Sequence, residues 1–201
     1  MLVLGTANRK KGLELADLFR PVGAKLQTLA DFSVDFEVDE NGDTFTANAR
    51  LKAAGYAIHL GQWVLADDSG LLVDALNGQP GVFSARYSGP DATDASNNRL
   101  LLERLGDLPL ERRSAQFVCH IAVSDPSGQI QAESDAACRG RILFSPRGEN
   151  GFGYDPLFEI VEYHRSFAEL GPHAKARLSH RARAACRILP LLQQLADSGK
   201  I

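Results

Sequence analysis

The sequence predicts an α/β protein whose sheet is mixed. Three observations carry that expectation. Apolar runs of strand length, Leu2 to Leu4 and Trp63 to Ala66, stand among polar loops. Other segments repeat apolar residues at helical spacing, while Ser114 to Val123 alternates with period two before a Pro126-Ser127-Gly128 turn. A hairpin in the middle of an otherwise alternating strand–helix order rules against a purely parallel sheet.

Taken in order, Leu2 to Leu4 opens the chain as a short buried strand that Gly5 ends. Lys11 to Phe19 follows as a helix with Leu15, Leu18 and Phe19 on one side, and Leu26 to Leu29 as a weak second strand. The acidic stretch from Phe32 to Asp43 reads as a loop over the site. Thr44 to Leu60 is a helix striped by Phe45, Ala49, Ala53, Tyr56 and Leu60, capped by Asp43 or Thr44. Trp63 to Ala66 reads as a strand ending in Asp67-Asp68, with apolar character resuming over Leu71 to Leu76. Gln79-Pro80-Gly81 is a turn, Ser84 to Tyr87 a strand end, and Asp94 to Leu105 a helix offering Leu101, Leu102 and Leu105 to the core. In the 114–123 strand Ala115, Phe117, Cys119, Ile121 and Val123 face inward, opposite Gln116 and His120; its partner runs to about Ala137. Ser166 with Glu169 forms a capping-box pattern. Ser179 to Leu195 closes the chain as a helix with Ala185, Leu189 and Leu192 on one side, which Pro190 is expected to kink or shorten.

Composition narrows the class. With 201 residues and 44% hydrophobic content the chain can build one sizeable core, or a core with a smaller lobe. A formal net charge of −3 lacks the basic excess of a nucleic-acid surface. Three cysteines without short spacing indicate neither a zinc knuckle nor a disulfide scaffold, and fit a reducing compartment. Neither a signal h-region nor a membrane span is expected, so the reading is cytoplasmic, with no membrane and no nucleic-acid partner.

Six stretches concentrate groups suited to phosphate and metal. In Thr6-Ala7-Asn8-Arg9-Lys10-Lys11, Thr6, Asn8 and Lys11 supply a hydroxyl, an amide and a cation beside free helix N–H groups, as an anion requires. The stretch is not a Walker A loop; a capped helix with solvated lysines is the plain alternative. Asp67-Asp68-Ser69-Gly70 sets two carboxylates side by side, and successive side chains of an extended backbone point opposite ways. One acid can then hold metal or activate water while the other orders its surroundings. Asn48 and Lys52 share a helix face with Thr44 and, with Glu40, can serve a metal–phosphate pair. Arg86 in Ser84-Ala85-Arg86-Tyr87 can clamp phosphate or brace an acid. In Phe152-Gly153-Tyr154-Asp155-Pro156, Phe152 can stack on a purine, Asp155 can accept from base N–H groups, and Gly153 permits close approach. Lys175 with His180-Arg181 adds reach; Arg181 opens a helix, where a cation opposes the dipole and calls for an anionic or carbonyl partner. His59, His120, His164 and His173 lack ligand spacing and read as structural or exposed.

In this order the six segments resemble the inosine triphosphatase family of non-canonical purine NTP pyrophosphatases. The resemblance spans nearly the whole chain and adds Gly151, Ser88-Gly89 and Ser179 to the motifs. It implies an elongated two-lobed α/β fold, with a central mixed sheet flanked by helices and the active site in a cleft between lobes. Residues 1–201 would form that single domain, usually in a homodimer. It further implies magnesium-dependent hydrolysis of ITP, dITP and XTP to monophosphate and pyrophosphate, which cleans the nucleotide pool. Glu40 and Asp68 would hold Mg2+, Asp68 would take the proton of the attacking water, and Asp67 would brace the site. Lys11, Lys52 and Arg86 would stabilise phosphoryl charge, with Thr6, Asn8, Asn48 and Ser69 beside them. Phe152, Gly153, Tyr154, Asp155, Lys175, His180 and Arg181 would bind the base. The chain departs from the family at Ala7, where glycine is usual, at Ala47, where Glu is usual, and at Ser166, where Thr is commoner.

Four other readings compete. A house-cleaning pyrophosphatase for other modified nucleotides differs only on the base side. A two-carboxylate glycosidase gives Lys11 and Lys52 no task. A regulatory nucleotide-binding module would bind without turnover, and a single-strand binder would need a basic aromatic track.

Overall fold

A computed structural model describes residues 1–32 and 36–201, so the expected 32–43 loop lies partly outside the described residues. The strands are β1 (Leu2–Leu4), β2 (Leu26–Thr28), β3 (Trp63–Val73), β4 (Ser114–Ser124), β5 (Ile130–Ile142), β6 (Phe158–Ile160) and β7 (Arg165–Ser166). The helices are α1 (Arg9–Phe19), α2 (Phe45–Leu60), α3 (Asp94–Leu105), α4 (Phe167–Leu178) and α5 (His180–Asp197). Among the described residues the strands form one seven-stranded sheet in the order β2-β1-β3-β4-β5-β6-β7. Strand β1 runs parallel to β2 and β3, whereas β5, β6 and β7 pair antiparallel, so the sheet is mixed as the hairpin required.

The chain divides into two compact units. The first comprises Met1–Asp68, Cys119–Ala136 and Arg181–Ile201; the second comprises Ser69–Val118 and Ala137–His180. Strand alternation organises the first. Leu2 and Leu4 of β1, Leu65 of β3 and Cys119, Ile121 and Val123 of β4 point to one face, against Leu15 and Phe19 of α1 and Ala184, Ala185, Ile188 and Leu192 of α5. Val3 and Val64 point the other way, onto Tyr56 and Ala57 of α2, and Ala66 and Ala122 join Ala49 and Ala53 there. Thr44 caps α2 by accepting the Ala47 amide at 3.1 Å.

In the second unit Leu71 and Val73 of β3, Leu101 and Leu105 of α3, Phe117 of β4 and Ile142 of β5 share a core with Tyr154, Leu157, Phe158 and Phe167. Phe158 stacks on Phe167 at 5.5 Å between centroids, an offset aromatic geometry. The expected capping box is present: Ser166 Oγ accepts the Glu169 amide at 3.1 Å, and Glu169 accepts the Ser166 amide at 2.8 Å. Helix α4 bends at Gly171, whose φ of 77° and ψ of 178° leave the helical region, just before Pro172. The left-handed φ favours glycine there, and the bend sets the direction of the turn carrying Lys175.

Several expectations are corrected. Asp67 and Asp68 do not end a strand; β3 continues to Val73 because the carboxylates are paired and Leu71 and Val73 return to an apolar core. Ser84 to Tyr87 is not a strand end: Gly81–Arg86 is a 3₁₀ segment, in which Ser84 Oγ donates to the Gly81 carbonyl at 2.6 Å and accepts the Leu71 amide at 2.9 Å. The 114–123 strand is half-buried only in its first half, since helix α2 covers its second face from Cys119 onward. Pro190 does not shorten α5, which runs to Asp197 on its packed apolar stripe. Strands β6 and β7 were not anticipated, being too short to show a period.

Candidate active site

Alternation along β3 sends its two carboxylates to opposite faces, each to a different set of cations. Asp67 follows Leu65 and faces α1 and α5; Asp68 follows Ala66 and faces α2.

Asp67 is fully buried, and Arg181 of α5 grips its Oδ2 through Nε at 3.2 Å and a terminal nitrogen at 3.0 Å. Lys11 Nζ lies 3.7 Å from the same oxygen, and Arg181 also donates to Glu14 at 2.5 Å. Burial pushes the Asp67 carboxyl up, but Lys11, Arg181 and Lys52 together outweigh it and hold the group well below the usual carboxylate range. Cys119 rests 3.9 Å from that carboxylate, and its thiol is pushed far up, first by burial and then by Asp67.

Asp68 has a different environment. Lys52 Nζ donates to its Oδ1 at 3.0 Å and to Glu40 Oε2 at 2.8 Å, and Asn48 Nδ2 approaches its Oδ2 at 3.4 Å. Asn48 in turn accepts the Gly42 amide at 2.8 Å, tying the Glu40 loop to α2. Burial raises the Asp68 carboxyl, Lys52 and Lys11 pull it back, and the balance stays above the ordinary value. For Lys52, burial favours the neutral amine, yet Asp68, Asp67 and Glu40 keep its pKa raised. Two neighbouring carboxylates are thus tuned in opposite directions, one locked as an anion and one left readier to take a proton.

Among the described residues no group of three or more His, Cys, Asp or Glu side chains converges as a complete metal cage. Glu40 and Asp68 nevertheless aim one oxygen each at a single cation, the Lys52 ammonium. Two convergent carboxylates fit Mg2+, which is commonly held by one or two carboxylates with substrate phosphates and water.

The first loop differs from expectation in one respect. Asn8 Oδ1 accepts the Lys10 and Lys11 amides at 3.0 and 3.1 Å, and Thr6 Oγ1 accepts the Asn8 amide at 3.2 Å. These N–H groups are therefore not free, because an Asx N-cap satisfies them first. Thr6 and Asn8 still border a cavity of about 740 Å³ with Arg9.

In the second unit a loop and α4 gather the expected base-binding residues. Asp155 Oδ2 accepts the Phe152 amide at 2.9 Å and the Lys175 ammonium at 2.6 Å, and that ammonium lies 4.1 Å from the Phe152 ring centroid. Tyr154 is buried, and its hydroxyl donates to the Ser84 carbonyl at 2.9 Å; burial, then Tyr87 and Asp94, push its pKa far up. His180 is buried with its ring stacked on Phe117 at 4.8 Å. Arg86 is exposed, its guanidinium 5.3 Å from the Phe83 ring centroid, and Ser69 is partly buried in β3. Arg181 belongs to the first unit, where it pairs with Asp67 and Glu14.

Sequence reasoning passed over Glu14, Asp94, Asn97 and Asn98. Asn97 Oδ1 accepts the Ser88 amide at 2.8 Å while its Nδ2 donates to the Ala85 carbonyl at 3.1 Å. Asp94 Oδ2 accepts the Gly153 amide at 2.9 Å, and Asn98 Nδ2 donates to the Gly153 carbonyl at 3.0 Å. The available signal was the spacing of four between Asp94 and Asn98, which puts both on one helix face. His120 is likewise engaged, with Nδ1 3.2 Å from Thr46 Oγ1 and Nε2 2.9 Å from Glu133, which also pairs with Arg50.

Fold and site together define a mixed α/β protein with a carboxylate–lysine centre built on both faces of one strand. The chain belongs to the Ham1 family, whose sequence pattern it matches over residues 2–191. It is 49% identical over 197 residues to a dITP/XTP pyrophosphatase of Rhodopirellula baltica, an alignment covering 98% of this chain and 95% of that one. A dITP/XTP pyrophosphatase of Geobacillus kaustophilus is 46% identical over 187 residues, covering 93% and 91%. Among solved structures, a HAM1 protein from Coxiella burnetii superposes with a TM-score of 0.87 at 39% identity, covering 96% of this chain and 98% of that one. A nucleoside-triphosphatase / dITP/XTP pyrophosphatase from Mycobacterium abscessus gives 0.75 at 43% identity, covering 94% and 98%. Among the described residues no helix is long and apolar enough to cross a membrane.

Proposed function

We propose that this protein hydrolyses the non-canonical purine nucleoside triphosphates ITP, dITP and XTP to monophosphate and pyrophosphate, as a magnesium-dependent homodimer. The observation that carries the reading is the opposite tuning of Asp67 and Asp68 on β3, with Lys11 and Lys52 beside them. The relatives are named dITP/XTP pyrophosphatases, which supports two of these three substrates.

Asp68 takes the proton of a water attacking the α-phosphorus; its raised pKa and its position among donors suit a general base at neutral pH. Lys52 and Lys11 offset the charge that develops on the phosphoryl oxygens. Asp67 remains an anion throughout, and through Arg181 and Lys11 fixes the geometry of β3 against α1 and α5. Mg2+ held by Glu40 and Asp68 would neutralise phosphate charge and make pyrophosphate a better leaving group. On the base side Phe152 offers a ring for stacking, and Asp155 accepts from a ring N–H. Lys175 is donor-only, so it favours the O6 acceptor of hypoxanthine and xanthine over the amino group of adenine.

Product analysis with Mg2+ tests the reading across inosine, xanthosine, guanosine, adenosine and pyrimidine triphosphates. Pyrophosphate and monophosphate from ITP and XTP, with little from ATP or GTP, is the expected result. Orthophosphate would move cleavage to the terminal phosphate and refute the mechanism, and inertness toward every triphosphate would reduce the protein to a binding module.

A further inference from the structure

Resting on that reading of the base side, we propose that three side chains of α3, Asp94, Asn97 and Asn98, are positioning residues that set the purine selectivity of the Phe152–Asp155 loop and the placement of Arg86. None of the three belongs to the segments first singled out for chemistry.

Gly153 sits between the stacking residue Phe152 and the core residue Tyr154. Its φ of 62° is left-handed, so the chain turns sharply there. Both of its backbone groups are held from one helix face: the N–H by Asp94 Oδ2 at 2.9 Å, the carbonyl by Asn98 Nδ2 at 3.0 Å. The two peptide planes that flank Gly153 are each held, so neither can rotate without breaking a hydrogen bond, and Phe152 inherits its direction from α3. The Asn98 Oδ1 is buried and makes no hydrogen bond among the described residues, so the side chain's described bond is the one its Nδ2 gives to Gly153.

One residue earlier, Asn97 holds the second loop in the same manner. Its Oδ1 takes the Ser88 amide at 2.8 Å and the Ser88 hydroxyl at 2.9 Å, and its Nδ2 reaches the Ala85 carbonyl at 3.1 Å, bracketing Arg86. The loops are also joined directly by the Tyr154 hydroxyl on the Ser84 carbonyl at 2.9 Å. Helix α3, the 84–88 segment and the 152–155 loop therefore form a closed triangle of hydrogen bonds within the second unit. A base that shifts Phe152 pulls against the Arg86 loop through this triangle.

The test uses the full-length protein and three variants. Asn98→Asp is nearly isosteric but replaces the donor with an acceptor; Asp94→Ala removes the other grip; Asp94→Asn keeps an acceptor oxygen and serves as the rescue. For Asn98→Asp and Asp94→Ala the expected result is a KM for ITP raised about tenfold, the weight of one hydrogen bond, with kcat within about twofold. Their preference for ITP over ATP should fall, and amide exchange in a 151–155 peptide should quicken while the 99–105 peptide of α3 is unchanged. Asp94→Asn should stay close to the parent. An active parent whose variants keep KM and selectivity, losing only thermal stability, would overturn the proposal alone. A parent inert toward every triphosphate would overturn the reading of the site, and this proposal with it.

Discussion

Replacing Arg181 by Met removes one half of a buried ion pair without removing much volume. The guanidinium is 2% exposed and its partner Asp67 is 0% exposed, with two nitrogens at 3.2 and 3.0 Å on one carboxylate oxygen. Once Arg181 is gone, Asp67 loses its bidentate partner, and the Lys11 ammonium stands farther off at 3.7 Å. Breaking a buried pair on one side costs about 3–5 kcal/mol, since the remaining charge stays desolvated. At roughly 2–4 °C per kcal/mol for a chain of this size, Tm should fall by about 10 °C. The pH dependence follows from the sign of the shift. Asp67 is depressed in the folded state, so its contribution is present above the unfolded carboxylate value, about 4, and is lost as pH falls through the folded one. Without Arg181 the folded pKa rises, and acid unfolding should begin at higher pH. Thermal melts from pH 3 to pH 8 on the parent, Arg181→Met, Asp67→Asn and the double variant close the cycle, with an expected coupling of about 2 kcal/mol or more. Additive losses, or a cost below about 1 kcal/mol for Arg181→Met, would refute the assignment of Arg181 as the brace of Asp67.

Three other perturbations have defined outcomes. Asp68→Asn should lower kcat by about 10²–10⁴, measured by pyrophosphate release; unchanged turnover would remove Asp68 as the base. Lys52→Met should raise the Asp68 pKa further, because its nearest cation is lost at 3.0 Å, and move the acid limb of the kcat/KM profile to higher pH. Gly148→Ala should destabilise the second unit by more than about 1 kcal/mol in urea unfolding, since φ is +80° and a Cβ there would overlap the Ala168 carbonyl and the Glu169 amide.

Much of the framework was legible in the residues alone. Helices α1, α2, α3 and α5 and strands β1, β2 and β4 follow from apolar spacing, and the caps at Thr44 and Ser166 from side-chain chemistry. The opposite directions of Asp67 and Asp68 follow from strand alternation, a property of two adjacent residues. Which cation each carboxylate meets is another matter. Arg181 is 114 residues from Asp67 in sequence, and only the packing of α5 on the Leu65 face of β3 brings them together. Likewise, that the Asn8 side chain caps α1 and takes up the Lys10 and Lys11 amides was decided by the local geometry of the loop. Ser84 to Tyr87 reads as a strand end because four residues carry too little periodicity to separate a strand from a 3₁₀ turn. Sequence determines local conformation and residue chemistry, which depend on near neighbours. The pairing of charges, their burial and hence their pKa values depend on contacts made across the chain, and those were decided by the tertiary structure.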